Sequence, residues 1–140
     1  MADFYQTGAV TTLHRLKSNN IERLEGDLEK FARNRPIGLV PPALYAEFET
    51  PAMQRIVGEL QKVRYLQRIV LALGRATPAQ FDQVRGYFKD FYTPVTFIWI
   101  ESERIQGLLR MLEEKALSAG GDGKGRSCWL SYGAILAARD

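Results

Sequence analysis

A chain of 140 residues, 46 % apolar and 25 % charged, is long enough for one domain with one core, and its composition excludes a disordered or fibrous polymer. Lys and Arg number 19 against 16 Asp and Glu, and the resulting charge of +3 is spread along the chain, without the dense basic stripe of a nucleic-acid binder. One cysteine, Cys128, and one histidine, His14, exclude an internal disulfide and a His/Cys zinc cluster.

No apolar run approaches the ~20 residues of a membrane-spanning helix. The stretch Met1 to Thr12 lacks the basic start and apolar middle of a signal peptide, so the expected location is the cytoplasm. From Asn20 to Arg33, Ile21, Leu24, Leu28 and Phe31 recur at helical spacing among charged residues and predict an amphipathic surface helix. Ile37 to Val40 reads as a short buried strand, ended by Pro41 and Pro42, which cannot donate to a ladder.

Thr50 before Pro51 is an N-cap followed by proline at the first helical position, opening a helix to about Gln61 with Ala52, Met53, Ile56, Val57 and Leu60 inward. Ile69 to Leu73 is a second apolar strand. Thr77 and Pro78 repeat the cap signal for a helix that buries Phe81, Val84 and Phe88. Val95 to Ile100 is the third strand, and a helix from about Ser102 turns Ile105, Leu108, Leu109 and Leu112 inward. Ser118 to Gly125 is a glycine-rich loop. Trp129, Tyr132, Gly133 and Leu136 then mark a last helix, with Trp129 and Tyr132 read as core.

Strands alternating with helices predict βαβ units, hence an α/β fold with a three-layer, Rossmann-like parallel sheet and helices on both faces. The first strand is expected to be central among the three. Ligands of such sheets bind beyond the C-terminal strand ends, which directs attention to Pro41 to Glu49, Gly74 to Thr77, Glu101 to Arg104 and Gly120 to Arg126.

In Gly120 to Arg126 the glycines allow close backbone approach, the following helix offers free N–H groups, and Lys124 and Arg126 add positive charge, which suits a diphosphate. A solvated connector fits the same residues. It is not a P-loop, since Ser118 stands at the first glycine and Gly125 follows the lysine in place of Ser or Thr. Pro42, Ala43 and Leu44 read as a loop that permits close approach to a base, with Glu47 or Glu49 accepting from ribose hydroxyls. A plain strand-to-helix turn is the other reading. His14 has no orienting partner, and Glu101 and Glu103 read as acids that complement a helix N-terminus; none is assigned chemistry.

Two segments, Pro36 to Leu44 and Gly123 to Trp129, carry a resemblance to bacterial retaining glycosyltransferases of the glucosyl-3-phosphoglycerate and mannosylglycerate synthase type, which use the GT-A fold. Gly8 to His14 looks like the leader of a related bacterial subgroup, giving a leader over 1–19 and a nucleotide-binding domain over 20–140. The resemblance implies nucleotide binding by Pro42, Ala43, Leu44, Glu47 and Lys124, beside the phosphate loop of Gly123, Gly125 and Arg126 read from the residues themselves. It implies a nucleoside diphosphate sugar as ligand and hexosyl transfer to a small acceptor such as a glycerate or phosphoglycerate.

Two departures accompany it. Leu73 to Ala76 lacks the acid that related enzymes place at the end of the second strand, and no Asp-x-Asp motif occurs. The chain ends at Asp140, where the metal-binding strand of the family is expected to begin. No cofactor is therefore expected in this chain, a divalent cation (Mg or Mn) is expected for the complete enzyme, and the domain is expected to be truncated, to self-associate or to pair with a downstream half. The alternative is a non-catalytic α/β module that binds a partner protein or a phosphate-bearing ligand.

Overall fold

The computed structural model describes residues 20–138, so the expected leader and His14 lie outside the described residues. In chain order the elements are α1 (Ile21–Asn34), β1 (Ile37–Leu39), β2 (Pro42–Leu44), α2 (Tyr45–Phe48), α3 (Pro51–Leu60), β3 (Leu66–Gly74), α4 (Pro78–Tyr87), β4 (Val95–Trp99), α5 (Glu103–Glu114) and α6 (Lys124–Ala137).

Local chemistry starts the helices where the sequence predicts. The Thr50 hydroxyl accepts the N–H of Met53 at 3.2 Å. Thr77 and Gln80 form a reciprocal capping box: the Thr77 hydroxyl accepts the Gln80 N–H at 3.3 Å and the Gln80 side-chain oxygen accepts the Thr77 N–H at 2.8 Å. Ser102 caps α5 by accepting from the N–H of Ile105 at 3.4 Å.

All strand pairing is parallel and converges on β3. β4 lies on one side in the register Ile69↔Val95 to Leu73↔Trp99. On the other side β1 pairs at Ile37↔Leu66 and Leu39↔Ile69, and β2 pairs at Pro42↔Ala72 and Leu44↔Gly74. The second predicted strand is therefore central, and the first lies at the edge, contrary to the expectation from sequence. β1 does stop ahead of Pro41, but pairing with β3 resumes at Pro42. An edge strand pairs on one side only, and its carbonyls still accept: Ala72 N–H donates to the Pro41 carbonyl at 3.2 Å. What reads as a loop at Pro42 to Leu44 is the second half of an interrupted edge strand.

Alternation along β3 divides the core into two layers. Leu71 and Leu73 face the α2, α3 and α4 side with Tyr45, Phe48, Val84 and Phe88, against which Met53, Val57, Phe97 and Trp99 pack. Val70 and Ala72 face the α5 and α6 side with Ile98, Ile100, Leu109 and Leu130. Both crossovers to the next strand run over the same face, as two right-handed connections in one direction require. After β4 the chain crosses to the other face, and α5 and α6 complete a three-layer, Rossmann-like α/β domain.

Three expectations about packing are corrected. Ala52 and Ile56 of α3 are exposed, leaving Met53 and Val57 to make its contact with the core. Trp129 and Tyr132 are not core: they are 50 % and 55 % exposed, with Leu136 at 58 % on the same helix. Leu130 and Ser131 are the buried residues of α6, with Ala134 and Ile135 packed beside them. α1 forms as predicted, but none of its residues is buried and Ile21, Leu24 and Phe31 stand exposed.

Candidate functional site

Three chain segments meet at the C-terminal ends of β2 and β3. The first is the step from β2 into α2, where the Glu47 carboxylate reaches back to accept the N–H of Leu44 at 3.0 Å. Tyr45, at the start of the same short helix, donates its hydroxyl to the side-chain oxygen of Gln83 on α4 at 3.0 Å. Burial, followed by the neighbouring Glu49 and Tyr87, raises the Tyr45 pKa above its ordinary 10.0 and keeps the hydroxyl a neutral donor.

The second segment is Gly74 to Ala76, after β3. The Glu101 carboxylate, just past β4, accepts the N–H of Arg75 at 2.6 Å and that of Ala76 at 3.4 Å. Glu101 precedes the Ser102 cap, so it serves this turn and not the start of α5. The third segment is the glycine loop. Gly123 is the N-cap of α6 at φ 155 and ψ 179, a conformation for which glycine is suited, and Lys124 is the first helical residue. The first intrahelical bond is the Ser127 N–H to the Gly123 carbonyl at 3.1 Å, so the N–H groups of Lys124, Gly125 and Arg126 precede the ladder.

Together these segments enclose a cavity of about 110 Å³, lined on one side by Pro42, Ala43, Leu44 and Glu47. Gly74, Arg75 and Ile100 line it as well, together with Asp122, Gly123, Lys124 and Ser127. The residues expected from sequence to bind nucleotide are thus brought to one place, although more than seventy positions separate Glu47 from Lys124. Gly125 and Arg126 lie outside the lining. Arg126 is turned back onto the loop: its Nη2 donates to Asp122 Oδ1 at 2.7 Å, and its Nε is buried without a partner. Arg75, Asp122 and Glu101 were not singled out by sequence reasoning as site residues. All three lie in segments that the strand-end rule marks, but only the fold shows what each touches.

Three wider, more open hollows occur elsewhere. One, of about 750 Å³, borders Arg33, Arg64 and Tyr92 beside the N-terminal ends of β3 and β4. A second, of about 800 Å³, lies among β4, α5 and α6. A third, of about 460 Å³, borders Asp82, Arg85 and Lys89. Size does not decide between them, because parallel α/β sheets bind ligands at the carboxyl ends of their strands, and the smaller cavity is the one at that end. Among the described residues no three His, Cys, Asp or Glu side chains gather as metal ligands. Asp122 is already engaged by Arg126 and Arg75. The described residues of this site therefore do not fit a divalent cation.

The chain is thus an α/β domain with a small cavity at the carboxyl ends of its parallel strands and a helix N-terminus and a lysine at the rim of that cavity. The chain is 46 % identical over 140 residues to a glucosyl-3-phosphoglycerate synthase of Persephonella marina, a match that covers all of this chain and 35 % of that protein. It is 33 % identical over 135 residues to a glucosyl-3-phosphoglycerate synthase of Methanococcoides burtonii, covering 94 % of this chain and 32 % of that protein. The resemblance to glycosyltransferases of the glucosyl-3-phosphoglycerate synthase type thus extends along the whole chain, which spans about a third of the length of the curated relatives it matches. No protein-family model matches the chain, and no solved structure does. Among the described residues no helix is long and apolar enough to cross a membrane.

Proposed function

We propose that the cavity binds the nucleoside diphosphate part of a nucleotide sugar, and that the complete protein transfers the hexosyl group to a small acid such as a glycerate or phosphoglycerate. The observation that carries this reading is the convergence of Pro42, Ala43, Leu44 and Glu47 with Gly123 and Lys124 around one cavity. Pro42, Ala43, Leu44 and Ile100 supply an apolar border suited to a base. Glu47 is the acceptor available to ribose hydroxyls. Lys124 and the first turn of α6 face negative charge favourably, because the unpaired N–H groups and the ammonium add. A cavity of about 110 Å³ is smaller than the ~300–1,000 Å³ of a whole small-molecule site, so it seats one moiety while the rest lies along the glycine loop.

The same proposal places the domain of GT-A type in the cytoplasm. The divalent cation expected for glycosyl transfer takes its ligands from residues other than those described. A self-associated state belongs to the proposal as well, supported by the one-sided pairing of β1 and β2 and by the exposed face of α6.

The test is titration calorimetry with UDP and GDP. A charge-assisted phosphate contact is worth roughly 1.5–3 kcal/mol, so Lys124→Ala is expected to weaken binding about tenfold to a hundredfold. Equal affinity of mutant and parent removes Lys124 from the site. Failure of the parent chain to bind either nucleotide overturns the reading and favours a non-catalytic module.

A further inference from the structure

The residue that follows β3 has a backbone conformation that few non-glycine residues adopt. Arg75 has φ 56, in the left-handed region, which persists where the surroundings over-determine it. Here they do. Glu101 accepts the N–H groups of both Arg75 and Ala76, at 2.6 and 3.4 Å, and the Ala76 carbonyl accepts the indole N–H of Trp99 at 2.9 Å. Three bonds from the end of β4 thus hold two consecutive residues, and they place Arg75 at the cavity with Leu44, Glu47 and Lys124.

The Arg75 guanidinium is not committed to the fold. Its ion pair among the described residues is with Asp122 at 3.8 Å, and the two side chains are 72 % and 60 % exposed. That distance is beyond a hydrogen bond, and water screens the pair. Asp122 has a closer partner in Arg126, at 2.7 Å, and keeps it if Arg75 turns away.

We propose that Arg75 is a specificity-determining ligand contact of this cavity, and that Glu101 is the positioning residue that presents it. The inference rests on the nucleotide reading of the same site. An arginine side chain carries N–H donors and no acceptor, so it takes an acceptor oxygen of the ligand, phosphoryl or base carbonyl, and disfavours a ligand that offers an N–H there. Binding exchanges the long Asp122 contact for that oxygen, and Arg126 retains the loop.

The experiment compares UDP and uridine binding by calorimetry in the parent chain, Arg75→Ala, Glu101→Gln and the double variant, with circular dichroism as the fold control. Arg75→Gly is a further variant that removes the side chain while relieving the backbone. Loss of the Arg75 side chain is expected to lower UDP affinity about tenfold. Glu101→Gln lowers it less, because the amide oxygen keeps one acceptor for the turn. The double variant is no weaker than Arg75→Ala alone, since Glu101 acts through Arg75, whereas independent structural damage would add. A loss shared by uridine assigns the base carbonyl as the contacted oxygen, and a loss confined to UDP assigns the phosphate. UDP affinity unchanged in both Arg75 variants, or additive losses in the double, overturns the proposal while leaving the nucleotide reading standing. A parent chain that does not bind UDP overturns both.

Discussion

The indole Nε1 of Trp99 donates to the carbonyl of Ala76 at 2.9 Å, and the same ring stacks on Phe81 at 5.0 Å between centroids and 12° between planes. The last residue of β4 thereby ties the turn after β3 to the first turns of α4. Trp99→Phe keeps the aromatic packing but leaves that carbonyl without its donor, and is expected to destabilise the domain by about 0.5–1.5 kcal/mol. Urea denaturation followed by far-UV circular dichroism measures this. An unchanged midpoint would show that the bond adds nothing.

Leu44 and Ala43 both border the cavity, but they answer enlargement differently. Ala43 is only 8 % exposed and belongs to the core on the α2 to α4 side, whereas Leu44 is 38 % exposed. Ala43→Trp is expected to overpack that core and lower stability by roughly 1–3 kcal/mol or more. Leu44→Trp is expected to leave the fold intact and abolish UDP binding by filling the site. Thermal melts paired with calorimetry separate the two outcomes, and a folded Leu44→Trp chain that still binds UDP would move the ligand elsewhere.

Gly123 and Gly121 form a controlled pair in the loop before α6. A Cβ at either meets nothing within 4 Å, but Gly123 has φ 155, which L side chains rarely adopt. Gly123→Ala is therefore expected to cost about 1–3 kcal/mol through backbone strain alone. Gly121→Ala should fall within about 0.5 kcal/mol of the parent. Equal denaturation midpoints for the two variants would mean that the loop relaxes freely at Gly123.

The exposed side chains of Trp129, Tyr132 and Leu136 lie on α6, and among the described residues β1 and β2 have no strand on their outer side. Apolar surface and an open sheet edge both favour association, so the chain is expected to form dimers or larger species with a second copy at micromolar concentration. Sedimentation velocity tests this, with Trp129→Glu combined with Tyr132→Lys expected to shift the population towards monomer. A parent chain that stays monomeric over the whole concentration range rules this association out.

Features written in neighbouring residues were legible without a structure. Thr50 before Pro51, Thr77 before Pro78 with Gln80 three residues on, and Ser102 ahead of Ile105 start their helices through bonds made within one turn, so the sequence alone determined them. The apolar run at Ile69 to Leu73 likewise announced a strand buried on both faces. The tertiary structure decided what depends on partners distant in the chain. Pro41 and Pro42 look like a terminator until their strand is seen at an edge, where one-sided pairing tolerates them. Trp129 and Tyr132 have helical spacing either way, and only the placement of α6 on the sheet turns Leu130 inward and leaves them out. Glu101 reads as an ordinary acid near a helix start, yet it holds Arg75, 26 positions away, because parallel pairing of β3 with β4 brings their C-terminal ends side by side. Side-chain chemistry is local, but which chemistry meets which is set by strand order and register, and these minimise the exposed area of the whole core instead of following any short stretch of sequence.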